Sequence, residues 1–470
     1  MAGMVSARLL SKNDYATMKQ TLLAYNFAAP LLMLGLPNAI YYFLPREKKR
    51  KRGILIDNLA LLFFLALIFS IFLAAGGYKI LALRFNNPDL NATLKWMIPY
   101  PLYVMPTVIL GAVLLTNNKT YTLIKYNIIS SLLLTALTII GTLITRSYSG
   151  PLLAQIYFPF LLLPVVLWLC FRTVPGQITL PNRKSMVDMV KYSLPLGLAG
   201  MLGMIMLETD KIVVSAMCKP EEFANYVNGA IEIPLIGIIT GSISTVILVD
   251  MIHYVHHGDL GSALELFKKA SVKSAAILFP VMVFLIVIAK SFIVTLYSEK
   301  YLESIVPFTL YLFVLPVRIV VYGSALMALG QSKVIFFRSI FDLLINTFLS
   351  IILVHFFGYL GAACATLITL YLWTVPYNLY KIGQGFNVKP WATLPFRDLG
   401  KILLLCIIVV PFELIHLIFN NDAYLIKLIT AGLFYFPAVG GLLMRYGLLE
   451  LPKTIRKKIP LLIEKLILKK

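Results

Sequence analysis

The chain has 470 residues, 59% of them hydrophobic and 13% charged, with a mean hydropathy of +0.85 and a formal net charge of +21. A soluble domain is about 45–50% apolar and about 25% charged, so no soluble core accommodates this composition and lipid is the expected solvent. The apolar runs are continuous rather than alternating, which excludes a β-barrel and predicts an all-α polytopic membrane protein.

The opening segment, MAGMVSARLLSKNDYA, has a counterpart two hundred residues on. Val5-Ser6-Ala7 falls on Val214-Ser215-Ala216 and, with one gap, Asp14-Tyr15-Ala16 falls on Glu222-Phe223-Ala224. In the second copy a long apolar stretch leads into the match, so residues 1–10 are expected to form the outer stub of a helix. The expectation is that about twenty further apolar residues are encoded upstream of Met1, the alternative being a first lobe one helix short.

Thirteen runs long enough to cross a hydrocarbon layer of about 30 Å follow. They cover Met18–Leu44, Gly53–Tyr78, Trp96–Thr116, Tyr121–Ile144, Pro151–Phe171, Val190–Met217, Phe223–Val249, Val272–Tyr297, Ile305–Leu329, Lys333–His355, Leu360–Tyr380, Gly400–Phe419 and Tyr424–Arg445. Loop charge alternates with them. REKKRKR at 46–52, Lys119, PNRKSM, Lys268-Lys269, Lys333, the 381–401 connection and the tail lie on one side, and the acidic or neutral loops lie on the other. The basic side is therefore expected to be cytoplasmic, with the C-terminus. That distribution accounts for the net charge without nucleic acid.

The repeat continues past the opening match. The second span resembles the eighth, and YVMPTVILGAVLLTNNKTYTLIKYNIIS resembles FVLPVRIVVYGSALMALGQSKVIFFRSIFD. Internal repeats of this size build many transporters. They divide the chain into an N-terminal lobe (1–171), a cytoplasmic connection (172–189), a C-terminal lobe (190–382), two added spans (383–446) and a basic cytoplasmic tail (447–470).

ARLLSKNDYA before a long span, LGLPNAIYYFLP before a basic loop, and VKYSLPLGLAGML…ETDKIVVSAM before FANYVNGAIEIPL occur in an order similar to that of the Wzx-type polysaccharide flippases. These belong to the multidrug/oligosaccharidyl-lipid/polysaccharide (MOP) exporter superfamily, which includes the MATE transporters. The resemblance implies two pseudo-symmetric helical lobes, twelve or fourteen spans with both termini in the cytoplasm, and residence in the bacterial inner membrane. Thirteen observed spans depart from the fourteen-span pattern by its first helix. The implied activity is flipping of an undecaprenyl-diphosphate-linked oligosaccharide repeat unit, as in O-antigen assembly, by alternating access. A polysaccharide polymerase and chain-length proteins are the implied partners.

Ionisable side chains inside a membrane usually face a cavity or a partner. Arg318 lies deep in the ninth span and is either a cation for a diphosphate or the ion-pair partner of Asp342 in the tenth. Asp342 also has Arg338 one turn away. Glu232 is a candidate for H+ or Na+ coupling, or a partner of Lys211. Glu208, Asp210 and Lys211, near the outer end of the sixth span, either snorkel or line a cavity. Glu413 and His416 share a face of the twelfth span. His253, His256 and His257 have no fixed acidic or thiol partner, and the four cysteines have no metal spacing, so no metal, cofactor or catalytic group is assigned. No Walker loop or serine elbow occurs, and NAT at Asn91 is a sequon only in form. The alternatives to a flippase are a drug or other lipid-substrate exporter of the same fold, or a membrane polymerase or acyltransferase, which would need an acid–base group on an outer loop.

Overall fold

The computed structural model describes residues 2–83, 85, 87–231, 233–411 and 423–449. All regular structure among them is helical. Ten stretches are long and apolar enough to cross a membrane, and they match the second to fifth, seventh to eleventh and thirteenth predicted spans. The first and sixth predicted spans are also helical, at Lys12–Met33 with Leu36–Arg46 and at Arg183–Met217. Residues 412–419 of the twelfth span, with Glu413 and His416, lie outside the described residues, as do Glu232 and residues 450–470 of the basic tail.

By internal contact the chain forms two compact units, residues 1–228 with 339–366, and residues 229–338 with 367–470. The first unit begins with α1 (Ala2–Leu9), which packs on α9 (Thr120–Thr145) through a 3.0 Å contact between the Ser6 and Thr142 hydroxyls. Ser11 then caps α2 (Lys12–Met33), its hydroxyl accepting the Asp14 N–H at 3.0 Å. A cap of this kind satisfies one of the four N–H groups a helix start leaves open.

Between α2 and α3 (Leu36–Arg46) the backbone turns left-handed at Leu34 and Gly35. A β-carbon on Gly35 would stand 2.7 Å from the Gly197 Cα, so this turn needs glycine both for its φ of 70° and for its close approach to α11 (Arg183–Met217). The unit's main apolar core gathers α3, α4 (Lys51–Phe72), α8 (Ile109–Thr116) and α10 (Ser149–Thr173) around buried Leu36, Ile40, Leu55, Leu62, Val113 and Val166.

The sequence repeat is also a repeat of burial. Tyr15, Ala16, Thr17, Met18 and Gln20 on α2 are buried, and so are Phe223, Ala224, Asn225, Tyr226 and Asn228 on α12 (Pro220–Gly229), each 208 positions later. Helix interruptions repeat as well. YVMP sits at a 3-10 turn (Met105–Val108), and FVLP sits where α16 (Ile305–Leu312) gives way to α17 (Leu315–Arg318). Proline cannot supply the N–H that a continuous helix needs there.

Two boundaries differ most from the sequence reading. The seventh span was expected from Phe223, but α12 ends at Gly229 and α13 (Pro234–His256) begins at a proline suited to the first helical turn. Its spanning stretch is therefore 236–256, and His253, His256 and His257, expected in a loop, stand on and just after its last turn. Helix α14 (Leu260–Val287) starts twelve residues before the predicted span because Asp259 caps it, accepting the Ser262 N–H at 2.9 Å.

Candidate functional site

Three of the predicted residues come together in the first unit. On the last turns of α11, the Lys211 ammonium and the Glu208 carboxylate form an ion pair at 3.0 Å, with the two side chains 24% and 25% exposed. Asp210 is turned the other way and buried, accepting the Tyr226 phenol of α12 at 2.6 Å. The i, i+3 spacing of Glu208 and Lys211 puts both on one face of the helix, while Asp210 points toward α12.

A further lysine of this neighbourhood, Lys19 of α2, was missed by the sequence reading. Its ammonium lies 5.5 Å from the centre of the Tyr15 ring and within electrostatic range of both Lys211 and Glu208. A methyl group on Gly3 of α1 would come within 3.7 Å of it. Lys19 is seven residues into α2, about 10 Å along the helix, a depth at which a lysine at the edge of an apolar run reads as a snorkelling anchor. The available signal was Tyr15 at i−4, which places an aromatic face under the cation. Glu208 is already engaged by Lys211, so Lys19 makes no ion pair of its own among the described residues.

A buried network of neutral polar groups supports α2 beneath Lys19. Gln20 donates to the Ser215 hydroxyl at 2.8 Å and accepts from Asn87 at 2.7 Å, and Asn87 also donates to Thr17 at 2.8 Å. Thr21 donates to Thr93 at 2.7 Å. Each bond contributes about 1 kcal/mol net, and leaving one buried member unpaired costs more. The network holds α2, Asn87, α6 (Leu90–Trp96) and α11 in register.

At the basic end of the same unit lies a second carboxylate the sequence reading passed over. Asp57 on α4 has a fully buried side chain and receives both guanidinium nitrogens of Arg50, at 2.6 and 3.0 Å. It also accepts the Asn182 backbone N–H at 2.9 Å, while Arg50 reaches the Leu180 carbonyl at 2.6 Å. Arg52 donates to the carbonyls of Val174 and Phe171. The connection 174–182 is therefore strapped to the start of α4, and Asn182, held by the strap, caps α11. The hydrogen bond to Asp57 raises the Arg50 pKa above its ordinary value. Backbone N–H groups of Arg50 and Lys49 lower that of Glu47. An acid five residues after a basic run, inside an otherwise apolar helix, was the signal.

Arg318 belongs to the second unit and Asp342 to the first. Arg318 is half-buried at the end of α17, Asp342 is buried on α19 (Ser332–Phe357), and each interacts with other groups of the chain. Arg338 donates to Asn378 of α21 (Val375–Gly385) at 3.2 Å.

The family model described as polysaccharide biosynthesis protein matches residues 5–306. No curated protein matches the chain. Among solved structures, the fold is similar to the lipid II flippase MurJ in an inward closed conformation, with a TM-score of 0.74, 18% identity, and coverage of 95% of this chain and 97% of that one. An inward-facing MATE-family multidrug transporter of the MOP superfamily gives 0.64 at 14% identity, over 83% of this chain and 93% of that one. A MOP superfamily transporter from Pyrococcus furiosus gives 0.51 at 15% identity, over 83% and 92%. The all-α, multi-pass MOP-type fold expected from the sequence is thus the observed one. The chain belongs to the polysaccharide biosynthesis protein family and has the fold of MOP superfamily transporters.

Proposed function

We propose that this chain flips an undecaprenyl-diphosphate-linked oligosaccharide repeat unit from the inner to the outer leaflet of the bacterial cytoplasmic membrane. Its two lobes, 1–171 and 190–382, would alternate in access, with the basic loops and the C-terminus in the cytoplasm. The observation that carries this reading is Lys19, within electrostatic range of the Lys211–Glu208 pair on a helix held to α11 by buried hydrogen bonds. A diphosphate arriving there would draw Lys211 away from Glu208 and bring two ammonium groups onto its oxygens. A lysine is a point charge that accepts phosphate from many directions, which suits a group that must be released on the other side. Family membership and the flippase-like fold support the substrate class. Arg318 would be a further cation in the second unit. Glu232 and the buried Asp342 would be the carboxylates for ion coupling. A polymerase that consumes the delivered units would be the partner.

The test is flipping of a fluorescent undecaprenyl-diphosphate oligosaccharide in proteoliposomes, followed by dithionite quenching. Wild type should render the inner-leaflet pool quenchable. Lys19→Gln and Lys211→Gln should each slow this at least tenfold, while Lys19→Arg retains activity. Wild-type rates in both Gln variants would sink the proposed site, and an inert wild type the substrate class.

A further inference from the structure

We infer that the basic end of the α9–α10 hairpin is a binding site for the headgroup of an anionic phospholipid. Helices α9 and α10 are antiparallel neighbours, and at this end Lys119, just before α9, donates to the Thr173 hydroxyl at the end of α10 at 3.3 Å. Three exposed cations gather there, Lys119, Lys125 and Arg172. Lys125 stands 4.5 Å from the centre of the Tyr121 ring, and the Arg172 guanidinium 4.9 Å from that of Trp168. Both rings belong to the helix's outward face, Tyr121 being 70% and Trp168 56% exposed.

What distinguishes this patch is the lack of any acid to answer it. Between Asp89 and Asp188 the sequence contains no Asp or Glu at all. None of the three cations makes an ion pair among the described residues, whereas Arg50, Lys211, Lys269 and Lys401 do. Farther along the hairpin from the cations, Ile128 and Leu132 of α9 and Leu161 and Val165 of α10 are exposed apolar residues. An aromatic ring marks the level of the headgroups, a cation laid on it stays at that level, and the apolar residues farther along accept acyl chains. The chemistry that fits all three layers is a phosphodiester carrying net negative charge on two acyl chains, as in phosphatidylglycerol. The Tyr121 and Trp168 rings orient the cations, and the cations select the headgroup.

The experiment compares purified wild-type protein with the triple variant Lys119→Gln/Lys125→Gln/Arg172→Gln, in detergent with added phosphatidylglycerol or phosphatidylcholine. Bound lipid is counted by mass spectrometry and stability followed by thermal unfolding. The variant Lys48→Gln/Lys49→Gln/Lys184→Gln removes the same charge from exposed lysines elsewhere on the basic side. Wild type should retain phosphatidylglycerol over phosphatidylcholine and unfold at higher temperature in its presence. The hairpin triple variant should lose this preference, by about fivefold in affinity for each charge removed, and the reference variant should keep it. Equal retention of the two lipids by wild type would overturn the proposal. So would equal losses in the two triple variants, or capture of decaprenyl diphosphate but not phosphatidylglycerol. Should the triple variant not fold, the single Lys125→Gln and Arg172→Gln variants carry the same comparison.

Discussion

Replacing Asp57 by alanine should undock the connection 174–182 without unfolding the helices. The change removes both Arg50 bonds and the acceptor of the Asn182 N–H. Hydrogen bonds to a charged group contribute about 1.5–3 kcal/mol each, and breaking a buried ion pair by deleting one partner costs about 3–5 kcal/mol. Arg50 is 23% exposed and keeps its bond to the Leu180 carbonyl, so water returns part of the loss. The local cost is then about 3 kcal/mol, near the lower end of that range, and at about 1.4 kcal/mol per decade the strap should open about 100-fold more often. Hydrogen exchange read by mass spectrometry on peptides covering 174–185 measures this directly. Protection there should fall by about two decades, while peptides from α9 and α10 stay at wild-type protection. Protection of 174–185 within twofold of wild type would show that the strap is held by something other than Asp57. A fall across every helix would show that Asp57 supports the whole unit. Because Asn182 caps α11, loss of the strap should also slow transport through Lys211, and Asp57→Asn should be intermediate.

In the second unit, Arg318→Ala should abolish flipping and Arg318→Lys retain part of it if the guanidinium meets substrate; recovery in Arg318→Ala/Asp342→Ala, assayed in the same proteoliposomes, would instead assign the residue to an ion pair. The Asp259 carboxyl is held below the usual aspartate range by the Ser262 side chain first and its backbone N–H second. A depressed pKa means the cap supports α14 above the ordinary aspartate value and is lost as pH falls through the lowered one. Amide exchange at Ser262 should therefore accelerate in acid for wild type and be pH-independent, beyond intrinsic exchange, in Asp259→Asn. Cysteines placed at Lys49 and Lys269 should resist an impermeant thiol reagent added to intact cells, and one at Ser298 should react; the reverse would invert the topology.

The helices were legible in the sequence because lipid imposes a single pattern on them, and a run of twenty apolar residues has few other fates. The repeat was legible for a related reason: a buried position such as Tyr15 or Phe223 tolerates few substitutions of volume, so the two copies still resemble each other there. Helix ends were less so. Asp259 and Pro234 carry start signals, but an apolar run such as FANYVNGAIEIPL does not reveal that the helix stops at Gly229 and restarts. The candidate site was half visible. Glu208, Asp210 and Lys211 are adjacent in sequence and stand out against apolar neighbours. Lys19 owes its place to a fold that brings α2 against α11, as in the bond from Gln20 to Ser215 across 195 positions, which no local pattern encodes. Asp57 was hidden in the same way, since its partners come from the loops at 50 and at 180–182.

The central claim is that lipid-linked glycan crosses the membrane through this chain. Deleting its gene and analysing lipid-linked glycans by mass spectrometry, with intact and permeabilised cells treated with a glycosidase, tests it most directly. The account predicts full-length repeat units accumulating in the inner leaflet, degraded only after permeabilisation, with surface polysaccharide lost and restored by wild type but not by Lys19→Gln. Normal surface polysaccharide with no accumulated intermediate would contradict it.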